Sequence, residues 1–325
     1  MKKVNVVAAI LGIGVFAVVI WKVGPAALAM KLEHVWMGFV FLLLLSLARL
    51  LLQTCSLSIS LSANRQTHSF VELIGIRMAS QSLGYLSTFG PLLSEPMKIR
   101  LLGSSTQSAT STLADTGLYW FTSALFGILG SMACGLLLVH QSYEAWVGIF
   151  AIMLLFGLVL LARQKPLLSS LVDLLNSRSP GWLRRGAMVE GEIRRFRFVR
   201  PRAVHRMFWV DLVCQSLMAG EVAVMLWALG FHLSLLIILS IEVFTRAAKL
   251  AGGWLPARIG ADEAGAVGAF VTFGLSPASG LTLALARRSR DLLWCVCGLM
   301  WLGWTARRPK TARELEIKEE VPCSL

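Results

Sequence analysis

Six stretches of the chain approach or exceed the roughly 20 apolar residues that a helix needs to cross a bilayer. They are residues 4–21, 35–61, 106–139, 145–162, 207–229 and 278–304. Hydrocarbon offers a backbone no water to bond, so such stretches must be helical, and a break is tolerated only where protein or water lines it. The balance of the chain agrees: 56% of its 325 residues are hydrophobic and 15% are charged. That balance is characteristic of polytopic helical membrane proteins. The fold class read from these patterns is an all-α polytopic membrane protein.

Two segments break this pattern. Leu255-Pro256-Ala257-Arg258-Ile259-Gly260-Ala261-Asp262-Glu263-Ala264 combines helix breakers with three charges at membrane depth. Phe89-Gly90-Pro91-Leu92-Leu93-Ser94-Glu95-Pro96-Met97-Lys98-Ile99-Arg100 is a weaker counterpart. Breakers and charges inside a membrane domain are costly and mark binding or transport sites. Pro91, Pro96, Pro256, Gly260 and Gly274 are the expected hinges. Each segment is read as the tip of a re-entrant hairpin, over about residues 70–102 and 235–273.

Both halves follow one order: helix, proline break, glutamate, short helix, Gly-x-Ser turn, long helix. Gly103-Ser104-Ser105 corresponds to Gly274-Leu275-Ser276, and Ser108 to Ser279. Lys2 and Lys3 place the N-terminus in the cytoplasm, and Arg307, Arg308, Lys310 and Arg313 do the same for the C-terminus. With both ends inside, the hairpins enter from opposite sides, as in an inverted-topology repeat. The expected organisation is a first membrane half (1–162), a basic connection (163–206), a second half (207–305) and a tail (306–325). It holds six full spans and two re-entrant segments.

The formal net charge is +13, and ten arginines and one lysine fall between residues 163 and 206. A cytoplasmic connection with helices lying on anionic lipid accounts for that run without nucleic acid. The six cysteines and five histidines show no metal-site spacing, and no Gly-x-x-x-x-Gly-Lys-Ser/Thr loop is present. No cofactor or metal is expected.

Candidate site residues are the charges in apolar surroundings: Arg49, Glu95, Arg100, Asp115, Arg258, Asp262, Glu263, Arg287, Arg288 and Arg290. Guanidinium matches phosphate geometry, so Arg258, Arg287, Arg288 and Arg290 suit an anionic group. Glu95 and Glu263 suit a cationic group, a proton, or the arginines themselves. Each charge also admits a structural reading, as a pair with a neighbouring helix. Glu242 and Arg246, four residues apart, are expected to pair.

The segment 255–264, the small-residue helix after it, Gly274-Leu275-Ser276-Pro277-Ala278 and a long helix with central arginines resemble one known pattern. It is the transmembrane flippase region of bacterial lysylphosphatidylglycerol synthases and their stand-alone relatives. Residues 91–100 resemble that family's first motif, with Leu92, Leu93 and Ser94 where relatives carry more glycine, and Asp115-Thr116 stands where they often carry Glu-Arg. The resemblance covers about residues 5–305. It implies movement of a phospholipid, an isoprenoid- or hopanoid-type lipid, or a lipid-linked group between leaflets of the bacterial inner membrane. Membrane lipids are then the partners, with a cytoplasmic lipid-synthesis enzyme or a second copy as further candidates. A membrane-embedded headgroup transferase and a non-transporting scaffold are the rival readings.

Overall fold

The computed structural model describes residues 35–87, 91–138, 191, 195, 196, 199–253, 255 and 258–307. The expected spans at 4–21 and 145–162, most of the basic connection, Pro256 and the tail beyond 307 lie outside the described residues. Among the described residues the chain forms eight α-helices and no strand. They are α1 (Trp36–Ala63), α2 (Phe70–Leu86), α3 (Pro91–Leu101), α4 (Thr106–Leu138), α5 (Pro201–Ala228), α6 (Leu235–Ala251), α7 (Ala261–Thr272) and α8 (Pro277–Arg307).

The local chemistry of the helix ends explains these boundaries. Ser69 and Ser234 precede α2 and α6 in extended conformation, and the Ser234 hydroxyl accepts from the Ile237 N–H. Pro91, Pro201 and Pro277 open α3, α5 and α8, where a missing N–H costs nothing. Four helices close alike, with one N–H reaching back five residues and the one before it reaching back three. The long bonds are Gln66 to Leu61 (3.1 Å), Ser104 to Ile99 (3.0 Å), Phe231 to Leu226 (2.9 Å) and Leu275 to Phe270 (2.8 Å). The residue before each donor is left-handed: Gly103 (φ 95°), Gly230 (φ 81°), Gly274 (φ 69°) and, without glycine's freedom, Arg65 (φ 58°).

Three boundaries differ from the expectations. Pro96 does not break the first hairpin, because α3 begins at Pro91 and runs through it. Pro96 is the sixth of eleven residues, so its ring removes one backbone bond from the middle of a three-turn helix, and few residues precede it for the ring to clash with. α5 starts at Pro201, a turn and a half before the apolar window at 207. α6 ends at Ala251, where Gly252 and Gly253 form the turn.

The helices recur in one order of length: 28, 17, 11 and 33 residues in α1 to α4, then 28, 17, 12 and 31 in α5 to α8. Packing exchanges the two sets. α1 lies along α5, α2 lies along α8, and α6 lies along α4. Small residues let these helices approach. A Cβ on Gly298 would fall 2.4 Å from the Met78 carbonyl oxygen, and one on Gly130 would fall 2.8 Å from that of Leu239.

α1, α4 and α5 are long and apolar enough to cross a membrane. At 1.5 Å per residue, the 28 residues of α1 extend about 42 Å. One face of α1 is buried along Gly38, Leu42, Ser46, Leu50, Thr54, Leu57 and Leu61. Its other face exposes Trp36, Val40, Leu44, Leu47 and Leu51 at the same helical spacing. α8 likewise exposes Leu292, Val296, Met300 and Trp304. Apolar surface this continuous would be a liability in water and is ordinary against lipid tails. The fold is that of an α-helical membrane protein.

Candidate functional site

The second break is built from the turn after α6. The Leu255 N–H bonds the Gly252 carbonyl at 2.9 Å, and the Arg258 N–H bonds that of Leu255 at 3.1 Å. Arg258 then takes a left-handed conformation at φ 51°, which costs a non-glycine residue about 1–2 kcal/mol. Gly260 follows at φ 86° and begins α7. The fully buried Glu263 reaches back to accept the Gly260 N–H at 2.9 Å. This is the glutamate half of a capping box, and it satisfies a donor at the helix N-terminus. Arg288 of α8 holds the other side of that carboxylate at 2.9 Å and bonds the Arg258 carbonyl at 3.4 Å.

From this break a chain of charges runs through the bundle. Arg258 lies 3.6 Å from Asp262 and 3.8 Å from Asp291. Asp291 pairs with Arg290 at 2.8 Å, and Arg290 contacts Glu221 of α5. Glu221 also faces Arg287 and Arg49, each at 3.8 Å. Arg287 bonds Glu242 of α6 at 2.8 Å, and Glu242 pairs with Arg246 at 3.1 Å, as the four-residue spacing predicts. Arg246 ends on the Ser123 hydroxyl of α4 at 2.9 Å. Glu221, Glu242 and Arg290 are 1%, 3% and 2% exposed. Charges this deep persist because each is paired and hydrogen-bonded.

Seven cations gather here: Arg49, Arg246, Lys249, Arg258, Arg287, Arg288 and Arg290. Five carboxylates face them: Glu221, Glu242, Asp262, Glu263 and Asp291. The cluster carries a formal excess of positive charge. Thr245, Lys249, Asp262, Arg287, Arg288 and Asp291 line a cavity of about 20 Å³ inside it, room for about one water. The arrangement is therefore closed. Arg258 is the accessible end of the chain, with 30% of its side chain exposed against 17% for Arg49 and 14% for Arg288. Its guanidinium lies 5.7 Å from the ring centroid of Tyr85, at the end of α2.

The first hairpin holds a smaller group. Arg77 of α2 pairs with Asp115 of α4, and both are buried. Glu95 pairs with Lys98 at 3.0 Å and accepts from the Thr116 hydroxyl at 2.8 Å. In each half, the glutamate of the short helix is thus held from the third turn of the long helix that follows.

Of the expected site residues, Arg49, Arg258, Asp262, Arg287 and Arg290 join one network, with Glu263 and Arg288 against it. Glu95 and Asp115 belong to the first-hairpin group. Arg100 is exposed at the end of α3 and joins neither among the described residues. Gly260 and Gly274 have positive φ, at the start of α7 and in the turn after it. Glu221, Glu242, Arg246, Lys249 and Asp291 complete the large network, and Arg77 and Lys98 the smaller group; all seven were absent from the sequence-based set. Their signal was a charge inside an apolar window, the same signal that selected Arg49.

The family model of the lysylphosphatidylglycerol synthase TM region matches residues 5–298. A comparison with curated proteins finds no match.

Proposed function

The chain belongs to the lysylphosphatidylglycerol synthase TM region family, and from that premise we propose that it moves a lipid with a polar headgroup between leaflets of the bacterial inner membrane. On this reading both termini are cytoplasmic and the two halves form an inverted-topology repeat. α2–α3 and α6–α7 are its re-entrant hairpins. The matched helix lengths and the exchanged packing of α2 on α8 and α6 on α4 support that reading. The chain is a transporter and transfers no chemical group itself. Its substrate is a phospholipid, an isoprenoid- or hopanoid-type lipid, or a lipid-linked group. A cytoplasmic lipid-synthesis enzyme or a second copy is its protein partner.

One observation carries the reading. Arg258, at a strained break in the chain, is the partly exposed end of a buried, net-positive ion network. Its contacts to Asp262 and Asp291, at 3.6 and 3.8 Å, are looser than the 2.8 Å pairs deeper in. An anionic headgroup group competes for Arg258 at little cost, then meets Arg288 and Lys249 as the break opens. The carboxylates it displaces return to the arginines when it leaves, so no charge is stranded in hydrocarbon.

The test is leaflet exchange in proteoliposomes, using fluorescent anionic, zwitterionic and cationic lipids with an impermeant quencher. Exchange of a lipid class by wild type, abolished in Arg258→Ala and Glu263→Gln, is the expected result. Well-folded protein that exchanges none of them would count against the proposal.

A further inference from the structure

Asp211 lies on α5 and is 1% exposed, yet no arginine or lysine pairs with it. Its Oδ2 has no hydrogen-bond donor. Every other deeply buried carboxylate described above has a cation in contact. A bare carboxylate at such a site costs several kcal/mol. We propose that Asp211 is the proton-binding site that couples the first hairpin to the transmembrane proton gradient, a proposal that rests on the lipid-translocation reading.

The neighbours of Asp211 come from every helix packed around it. α1 presents Ser56, whose fully buried hydroxyl faces the Asp211 carboxyl. α4 presents Asp115 and Tyr119, and α2 presents Arg77, which is bound to Asp115 and leaves its Nε without an acceptor. Lys98 of α3 lies behind this pair and is held by Glu95. On α5 itself Cys214 and Gln215 follow, and the Gln215 Oε1 is also unpartnered. Further along, Arg49 is occupied by Glu221, and Arg246 by Glu242 and Ser123. One guanidinium thus serves two carboxylates. The orphaned Arg77 Nε and Asp211 Oδ2 match a state in which a proton has added to Asp211, and Arg77 has settled on Asp115. Loss of that proton returns a negative charge that draws Arg77, and α2 with it, towards α5. The Asp211 O–H is the one covalent bond broken, its proton leaves to water, and the Arg77–Asp115 contact loosens as Arg77 moves.

A polar seam supplies access. At its outer end Gln66 donates to the hydroxyls of Ser105 and Ser108 at 3.0 and 2.9 Å. Asn64 donates to Ser111 at 2.6 Å, and the Ser60 hydroxyl bonds the Ser111 carbonyl at 2.9 Å. One turn further in stand Ser56 and the unpartnered, fully buried Thr112. Hydroxyls at helical spacing therefore run from the α1–α2 turn to Asp211, along the α1–α4 contact. A purely structural seam would have no need to end at an unpaired carboxylate.

The experiment is infrared difference spectroscopy of the full chain in lipid nanodiscs as pH is stepped from acidic to alkaline. A protonated-carboxyl carbonyl band should disappear as pH rises. It should be missing from Asp211→Asn, retained in Glu263→Gln, and shifted in its midpoint by Ser56→Ala, which keeps the carboxyl if the asparagine variant fails to fold. In proteoliposomes an imposed pH gradient should accelerate leaflet exchange by wild type and leave Asp211→Asn at its ungraded rate. Absence of the band, its persistence in Asp211→Asn, or a midpoint that follows sodium concentration would overturn the assignment. A band that behaves as expected in protein that exchanges no lipid leaves the proton site standing and removes the lipid reading. Exchange that is indifferent to the gradient, with no titrating band, does the reverse.

Discussion

Replacing Glu221 by glutamine tests the ion network at its hub. Glu221 is 1% exposed and faces three guanidinium groups, Arg290 in direct contact and Arg49 and Arg287 at 3.8 Å. At 3.8 Å and an effective dielectric of about 20, each of the two longer pairs carries about 4 kcal/mol of Coulomb attraction. Desolvation of the carboxylate offsets much of that. What remains is the cost of stranding its partners, about 3–5 kcal/mol for removal of one member of a buried pair. Glutamine keeps the volume and one acceptor oxygen, so the loss reads charge and not a cavity. The assay is thermal unfolding in lipid nanodiscs of E221Q, R290Q and the double variant. Each single variant should lose about 3–5 kcal/mol. The double should lose less than the sum by at least about 1 kcal/mol, because the second change removes a charge that the first left unpaired. An E221Q protein within about 0.5 kcal/mol of wild type, or strict additivity, would refute a hub role.

Other expectations follow from local geometry. At acidic pH, where Asp211 holds its proton and Arg77 has only Asp115 to pair with, Asp115→Asn should cost about 3 kcal/mol in unfolding free energy, whereas Arg77→Met with Asp115→Leu should recover most of it. Gly298→Ala should destabilise by about 1–3 kcal/mol, since its Cβ would fall 2.4 Å from the Met78 carbonyl oxygen and α8 must move off α2. Gly303→Ala on the same helix meets nothing within 4 Å and should stabilise it, by up to about 1 kcal/mol. Arg65→Gly at φ 58° on the exposed end of α1 should raise the melting temperature slightly, the relief of left-handed strain exceeding glycine's entropy cost.

Much of the site was legible because intramembrane charge is rare enough to be conspicuous. Arg49, Arg258, Arg287 and Arg290 were readable one by one as charges in apolar windows. Glu242 and Arg246 were readable even as a pair, since a four-residue spacing places both on one helix face. The correspondence of Ser108 with Ser279 was also legible, and each is the third residue of its long helix and fully buried. Pro96 misled because a proline close to charges in an apolar segment was read as a break. Its effect depends on how much helix precedes it, and α3 begins only at Pro91.

Periodicity and helix-end chemistry act over a few residues, so the sequence alone settled the helical class, the turns at Gly103 and Gly274, and the presence of charges inside apolar windows. Which charge meets which was decided by tertiary structure alone. Arg290 and Glu221 are 69 residues apart, and Arg287 and Glu242 are 45 apart. Their meeting depends on the depth and angle at which α8 passes its neighbours, set by close approaches such as that to α7, where a Cβ on Gly280 would fall 2.8 Å from the Ala266 carbonyl oxygen. The same packing gave Glu221 three arginines and left Asp211, ten residues earlier on the same helix, with none. Two acidic residues that look alike in an apolar window thus acquire opposite surroundings, because a carboxylate's partners come from neighbouring helices and not from its own.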